Sequence, residues 1–517
     1  MLGPSSATTS LVTLQSTRDA ALHFNLLSLP HEAPYLNMTW TLHTPWHFFA
    51  LLNAITMLQF LLAGVIPAAP NEFQVFIQQS LHVSSTDSAF YFGVLETALL
   101  AIYCLATLVV GHLSQTVRPF SLILAGLVLW VVSAAASGVA RPAGSFYLLL
   151  LGRMGTGVAE ATFRVLALPL IDRFTPPSMR SLWMGMYYAG ISLASGVAYV
   201  FGAHTARTLG WDWSFYLCAM AMLPFLVVTY ACIPSTCDVN RPLQVEKSKT
   251  ESRSTRDLAV VLTSPVFLLS VAGISAINFT LQAMLTFAPS MLIGLDVFSD
   301  EWSAMAFGGL VMVAGIVGPP LGGALLDRAT SFDASDSTRC VAACYQRLFF
   351  VAGSTLAGAV SLALLLAHVS PIVFLVAGFG FFGGMFATFG STSTSLLLSV
   401  PPHLRGLAMG VGLLLQNALG NVPGPIVLGA LKSWLAPGCG SDVVDGRDRV
   451  SLACGNAANT HGLYVLWGIM VLWMAWALVA WPLAYVAAKR VAKQDESMLD
   501  HMTLLETSYI QVGVETH

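Results

Sequence analysis

The sequence predicts an all-α polytopic membrane protein with twelve transmembrane helices in two six-helix bundles. Composition, a count of apolar stretches and an internal repeat carry that prediction. Of 517 residues, 56% are hydrophobic and only 9% are charged, and the mean hydropathy is +0.73. Soluble domains carry about 25% charged residues, so these charges cannot cover a water-facing surface. This excludes a cytosolic enzyme, a nucleic-acid binder and a disordered scaffold. A net charge of −3 points to no acidic or basic partner. Eight cysteines in so long a chain are no disulfide framework.

A spanning helix needs roughly 20 apolar residues. Twelve stretches of that length lie near 46–68, 89–111, 118–138, 146–171, 181–203, 213–233, 263–292, 303–326, 347–368, 371–397, 404–430 and 463–488. They read as helices because an open strand cannot satisfy its backbone in lipid. They are apolar all round, without the alternation of a β-barrel. The chain start shows no basic stretch leading into an apolar run, so the first span is expected to direct insertion.

Positive charge sets the orientation. Of the 23 lysines and arginines, sixteen fall on one side, Arg347 among them as a loop residue. Five fall on the other (Arg141, Arg207, Lys432, Arg447, Arg449), and Arg153 and Arg164 lie within span four. Both chain ends are therefore expected in the cytosol. The longest interior hydrophilic stretch divides the spans six and six. The expected domains are a cytosolic N-terminal segment (1–45), an N-terminal bundle (46–233), a cytosolic linker (234–262), a C-terminal bundle (263–488) and a cytosolic tail (489–517).

The halves repeat. Residues 175–185 read TPPSMRSLWMG and residues 400–410 read VPPHLRGLAMG, a constant offset of 225. Ala161-Thr162-Phe163 recurs as Ala387-Thr388-Phe389. Two like halves in the same orientation form a parallel repeat, which rocks about a site at its interface.

Twelve spans, a six-plus-six repeat and a long central loop resemble the major facilitator superfamily. Gly322-Gly323-Ala324-Leu325-Leu326-Asp327-Arg328 resembles its Gly-x-x-x-Asp-Arg loop signature, while the counterpart Gly111-His112-Leu113-Ser114-Gln115-Thr116 has lost the Asp-Arg. Asp327 and Arg328, with the repeat arginines Arg180 and Arg405, form the expected conformational loop set. Residues 152–202 resemble the Spinster branch through Arg153, Gly155, Gly157, Glu160-Ala161, Pro169, Asp172, Arg180-Ser181, Gly196, Tyr199 and Gly202, followed by Trp211-Asp212-Trp213. That resemblance implies transport of a lysophospholipid or a phosphorylated sphingoid base, commonly with protons. The branch carries an Asp-Arg pair before a Phe in its first span, where this chain has Leu58-Gln59 before Phe60. Proton coupling then either rests wholly on Glu160 or is absent.

At about 100° per residue, with Arg153 at 0°, Gly157 falls near 40°, Glu160 near −20° and Arg164 near 20°. Three charges facing lipid would cost roughly 8–10 kcal/mol in all, so they are expected to face inward. Glu160 reads as a titratable switch and the arginines as a phosphate attractor. The competing reading is an ion pair tying span four to its neighbours. The repeat mates of these residues are apolar, which suits a solute with one charged head. Asn53, Gln59, Tyr187, Gln416 and Asn417 complete the expected substrate- and proton-binding set, with interhelical hydrogen bonding as the other reading of the amides. Glu96 is a second acid within a span.

Cys439 and Cys454 share the non-cytosolic loop before span twelve, where a disulfide is expected. No metal spacing emerges. Asn37-Met38-Thr39 and Asn278-Phe279-Thr280 match the glycosylation pattern, one cytosolic and one intramembrane, so neither should be modified. Asp500-His501-Met502-Thr503-Leu504-Leu505 and Tyr509-Ile510-Gln511-Val512 resemble signals read by cytosolic sorting adaptors. No phosphate-binding Gly-Lys-Ser/Thr loop, nucleophile elbow or His-Glu-x-x-His appears. The expected protein is a monomeric secondary transporter with no cofactor and no enzymatic activity, in an endosomal, lysosomal or plasma membrane. The alternatives are an uncoupled facilitator of another organic solute and a non-transporting sensor of the same fold.

Overall fold

The computed structural model describes residues 44–83, 85–232, 250–330, 334–368, 370–437, 439, 441–444, 447–450, 454 and 456–515. Among these, twelve helices are long and apolar enough to cross a membrane. Spans one to six are Pro45–Ala63, Ser85–Leu113, Pro119–Val139, Phe146–Phe174, Arg180–Thr208 and Trp211–Ala231. Spans seven to ten are Pro265–Gly294, Asp300–Ala329, Asp336–Leu366 and Pro371–Leu398. Pro402–Leu435 and Ala457–Ser497 are the last two.

Local sequence explains the boundaries. Pro45, Pro119, Pro265 and Pro371 open their helices, where the missing N–H costs nothing and φ is preset. Ser145, Ser264 and Ser335 cap spans four, seven and nine by accepting from Leu148, Phe267 and Thr338 N–H, which satisfies donors the helix itself cannot. Each half buries its own apolar core, around Trp130, Trp183 and Phe215 in the first and around Trp467, Trp481 and Phe381 in the second. Span four is the most enclosed span, 72% of its apolar window being buried, so its charges lie inside the protein.

Three elements depart from expectation. Span nine begins at Asp336, eleven residues before the expected boundary, which places Arg347 inside a helix. Its guanidinium is fully buried and donates to Ser270 at 2.8 Å, Ser395 at 2.7 Å and Cys344 at 3.3 Å. It also lies 4.9 Å from the Trp481 ring centre. Span eleven is broken by a π-helical turn at Asn417–Asn421, between Arg405–Gln416 and Pro423–Leu435. Pro423 has no N–H to continue the ladder. The helix of span twelve continues as far as Glu515, past the expected start of the tail at 489.

Shorter elements sit between spans. Pro70–Leu81 forms a helix after span one, and Thr250–Thr263 one before span seven. The loop before span twelve holds the described strands, β1 (Ser441–Val444) paired antiparallel with β2 (Arg447–Val450). Cys439 and Cys454 are joined by a disulfide at its base. The Asn37 sequon, most of the expected N-terminal segment, linker residues 234–249, and the side chains of Glu96 and of both tail signals lie outside the described residues.

Candidate functional site

The two halves meet through glycine. Span five lies along span eight, and Gly185 and Gly323 bring the backbones together. A Cβ at Gly185 would overlap the Pro319 carbonyl oxygen, and one at Gly323 the Ser181 carbonyl oxygen. The same contact recurs between spans eleven and two: a Cβ at Gly410 would overlap the Thr107 oxygen, and Gly111 sits on Gly406, Leu407 and Gly410. Gly185 and Gly410 are mates at the 225 offset. Pro319 and Thr107 each stand four residues before the matching glycine, Gly323 or Gly111. Both seams lie at the end that the charge count assigns to the cytosol. The other half of span eleven, Pro423–Leu435, packs mainly on spans of its own bundle. Gly185→Val is expected to insert but to hold the cytosolic ends apart. A cysteine placed at Leu182, in a chain freed of its other reduced cysteines, should then react with an impermeant maleimide from the cytosolic side. Equal protection with and without the valine would contradict the seal.

A ring of charge latches that end. Asp172 closes span four, and Asp336 opens span nine. Arg180 and Arg405 open spans five and eleven, following the two Pro-Pro turns. Arg180 grips both oxygens of Asp172 and reaches Asp336 at 3.2 Å. Arg405 donates to Asp172 at 2.9 Å and to Asp336 at 2.9 Å. Two of these four pairs cross between halves. Arg405 Nε also donates to the Leu397 carbonyl at 3.1 Å, and Leu397 is the repeat mate of Asp172. One half therefore uses a backbone oxygen where the other uses a carboxylate.

Asp327 adds a second latch, accepting from the Ser181 and Leu182 N–H groups at 3.0 and 2.8 Å. These are the free donors at the start of span five, where the helix dipole favours an anion. Arg328 is exposed and stands outside the ring. Buried Arg339 is the cation acting on Asp327.

The charged stripe of span four faces span two. Gly157 is pressed on the Leu99 carbonyl and the Tyr103 N–H. Arg153 is 1% exposed and Glu160 4% exposed. Arg164, one turn beyond Glu160, is half-buried. Its guanidinium lies 4.2 Å from the Phe60 ring centre and 5.2 Å from that of Tyr103, with Glu160 and Tyr187 in electrostatic reach. The Tyr103 side chain is also within hydrogen-bonding reach of it, and none of the described ion pairs involves it. Gln59, beside Phe60, is 2% exposed, and both of its amide atoms lack a hydrogen-bond partner among the described residues.

The remaining residues separate. Asn53 packs on Gly190 with its Oδ1 unbonded, and buried Tyr187 lies by Thr56. Gln416 is half-buried. Asn417 donates to the Leu413 carbonyl at 2.7 Å and accepts from Asn421 at 2.9 Å, so its side chain is used within the π-turn. Tyr188, which the sequence did not single out, bridges the halves through a 2.8 Å hydrogen bond to Ser393. Its ring lies 5.3 Å from that of Phe389. Phe389 and Phe386 make that face of the second half apolar. No group of three His, Cys, Asp or Glu gathers to hold a metal among the described residues.

Repeat-related halves of six spans, latched at one end around an enclosed charged helix, are the build of a membrane transporter. The sequence profile of the Major Facilitator Superfamily matches residues 48–425, and the chain belongs to that superfamily: it is a multi-pass transporter and not an enzyme. Its relatives are Spinster proteins. The probable sphingolipid transporter spinster homolog 1 of Arabidopsis thaliana is 27% identical over 433 residues, 76% of this chain and 84% of the relative. Spinster homolog 2 of the same plant is 29% identical over 362 residues, 67% and 71% of the two chains. Protein spinster of Drosophila melanogaster is 25% identical over 404 residues, 76% and 62%. Among solved structures, a bacterial homolog of the human lysosomal transporter Spinster aligns with a TM-score of 0.51 at 16% identity, over 87% of this chain and 98% of that one. The fucose:proton symporter of E. coli aligns with a TM-score of 0.57 at 13% identity, over 84% and 99%. These two likenesses establish the fold.

Proposed function

We propose that this transporter moves an amphiphile with one anionic head, of the lysophospholipid or sphingoid phosphate class, by alternating access. The observation that carries the reading is Arg164. A guanidinium within a membrane bundle costs roughly 2.5–3.5 kcal/mol against lipid. Here it lies between two rings, with Tyr103 in hydrogen-bonding reach and outside the described ion pairs, so donors of its five remain for a ligand. Arginine matches phosphate through its planar fork, and the unmet amide of Gln59 supplies further polar contacts. Apolar Phe386 and Phe389 in the other half suit a hydrocarbon tail. The names of the plant relatives support the same substrate class.

Residues 46–233 and 263–488 act as the two rocking lobes, joined by the cytosolic linker 234–262. Closure at the cytosolic end leaves Arg164 to be loaded from the opposite side. Glu160, one turn from Arg164, is the proton-linked switch: its carboxylate stabilises Arg164 when the site is empty, and protonation releases the arginine for the substrate. The reading also includes a monomer in an endosomal, lysosomal or plasma membrane, with sorting adaptors at the tail.

Proteoliposomes test this directly. Wild-type protein should move a labelled anionic lysophospholipid, faster under a proton gradient. Glu160→Gln should cut the gradient-driven component at least tenfold while the protein still inserts. Flux insensitive to the gradient in the wild type would favour the uncoupled facilitator, for which Leu58 in place of the branch's aspartate speaks. Tight ligand binding without flux would favour a sensor.

A further inference from the structure

Span nine carries a buried stripe of its own. Cys340, Cys344 and Arg347 fall near 0°, 40° and −20° at about 100° per residue, so they share one helix face. Cys340 is 5% exposed, and Cys344 and Arg347 are fully buried. Both cysteines are reduced. Their side chains lie within hydrogen-bonding reach of each other, and Arg347 donates to the Cys344 sulfur at 3.3 Å.

Two such thiols need a route from solvent before they can react, and the cytosolic end provides one. A cavity of about 370 Å³ opens there, lined by Cys340 together with Asp336, Ser337, Pro401 and Arg405. Asp336 and Arg405 belong to the ring that latches the two halves. Cysteines buried in apolar surroundings are inert, whereas reactive ones combine a neighbouring cation with access. Cys218, in the apolar core of the first half, is of the first kind. The pair in span nine is of the second.

We propose that Cys340 and Cys344 form a peroxide-reactive dithiol site, and that its oxidation to a disulfide loosens the cytosolic latch. The oxidant is hydrogen peroxide, small and uncharged, entering by the cavity. The Cys340 sulfur attacks one peroxide oxygen. The O–O bond breaks as the S–O bond forms, and the thiol proton leaves with the other oxygen as water. The Cys344 sulfur then attacks the sulfenic sulfur of Cys340. The S–O bond breaks as the S–S bond forms, and the hydroxyl leaves with the Cys344 proton as a second water. Two thiols lose two electrons and one peroxide gains them. Arg347 balances the negative charge that the Cys344 sulfur carries as its proton departs.

The bond acts on the latch through geometry. Cβ atoms four residues apart on a helix are about 5–6 Å apart, and a disulfide holds them at about 3.5–4.5 Å. Closing it deforms the first turns of span nine. Asp336, one turn before Cys340 and in electrostatic reach of its sulfur, is then drawn away from Arg180 and Arg405. A bond made against helix geometry is readily reduced again, so the change is reversible.

The test uses full-length protein in a maltoside detergent, exposed to hydrogen peroxide, quenched with catalase and alkylated after denaturation. Trypsin cuts after Arg339 and Arg347 and releases residues 340–347 with both cysteines. This peptide should be two hydrogens lighter and unalkylated, while Cys218 is alkylated as in untreated protein. Amide hydrogen exchange at Ser181 and Leu182, held by Asp327 at the same end, should rise at least tenfold after oxidation and return after treatment with a dithiol. Cys340→Ser and Cys344→Ser should show neither the lost hydrogens nor the rise. The proposal is overturned if the two cysteines stay alkylatable, if Cys218 is oxidised as readily, if exchange does not rise once the bridge forms, or if it rises equally in the serine variants. None of these outcomes depends on a transport substrate, so none bears on the proposed function.

Discussion

Arg164→Ala is expected to raise the KM for an anionic amphiphile roughly 10- to 100-fold. A hydrogen bond to a charged group contributes about 1.5–3 kcal/mol, and each tenfold change in affinity is about 1.4 kcal/mol. The same change should lower the melting temperature far less than it lowers uptake, because Arg164 is held by two ring contacts, the Tyr103 side chain and the charge of Glu160 and takes part in none of the described ion pairs. Arg164→Lys keeps the charge but loses the planar fork and the stack on Phe60, and it should fall between wild type and alanine. Radiolabelled uptake at varied substrate concentration, with a thermal melt of the same preparations, checks both parts. A KM unchanged in the alanine variant, or a melt lowered as far as uptake, would turn the arginine into a structural element.

Asp172→Asn is expected to shift the protein toward a state open at the cytosolic end. Asp172 is buried, its side chain 2% exposed, and it holds an arginine from each half. Without its charge, Arg180 and Arg405 face each other with only Asp336 between them, and that side chain is 56% exposed. Removing one member of a buried charge pair costs about 3–5 kcal/mol. The cost falls mainly on the sealed state, because opening separates the two arginines. About 3 kcal/mol shifts a two-state ratio more than a hundredfold. Spin labels at exposed positions 118 and 403, one in each half, should report a longer distance in the variant. The variant should also lose net transport, since it cannot reseal. An unchanged distance distribution would mean that the glycine seams hold the end shut without the ring.

What could be read from the sequence follows the range of the interactions. The stripe of span four was legible because helical angle depends on spacing alone, and the cost of charge in lipid fixes which way it turns. Its orientation toward span two, pinned by Gly157 on Leu99 and Tyr103, was not, because it depends on a neighbour. The repeat singled out Arg180 and Arg405. Their partners stood out less: Asp172 lies eight residues from Arg180, and Asp336 lies 69 from Arg405 on another span. Arg347 was read as a loop residue because a hydropathy window stops at a charge. Ser270, Ser395 and the Trp481 face satisfy it, and they come from three other spans. Phe60 and Tyr103 were invisible as a clamp, since in a chain with 10% aromatic residues neither ring is distinctive until a guanidinium lies on it.

The most direct test of the account is charge selectivity at Arg164 within one preparation. Liposomes holding wild-type or Arg164→Ala protein would be offered a labelled lysophosphatidate and the monoacylglycerol of the same chain length. The account predicts that wild-type protein takes up the phosphate compound in strong preference, and that the alanine variant loses that preference while whatever uptake of the neutral compound exists is unchanged. A variant that still prefers the phosphate compound as strongly as the wild type would contradict it.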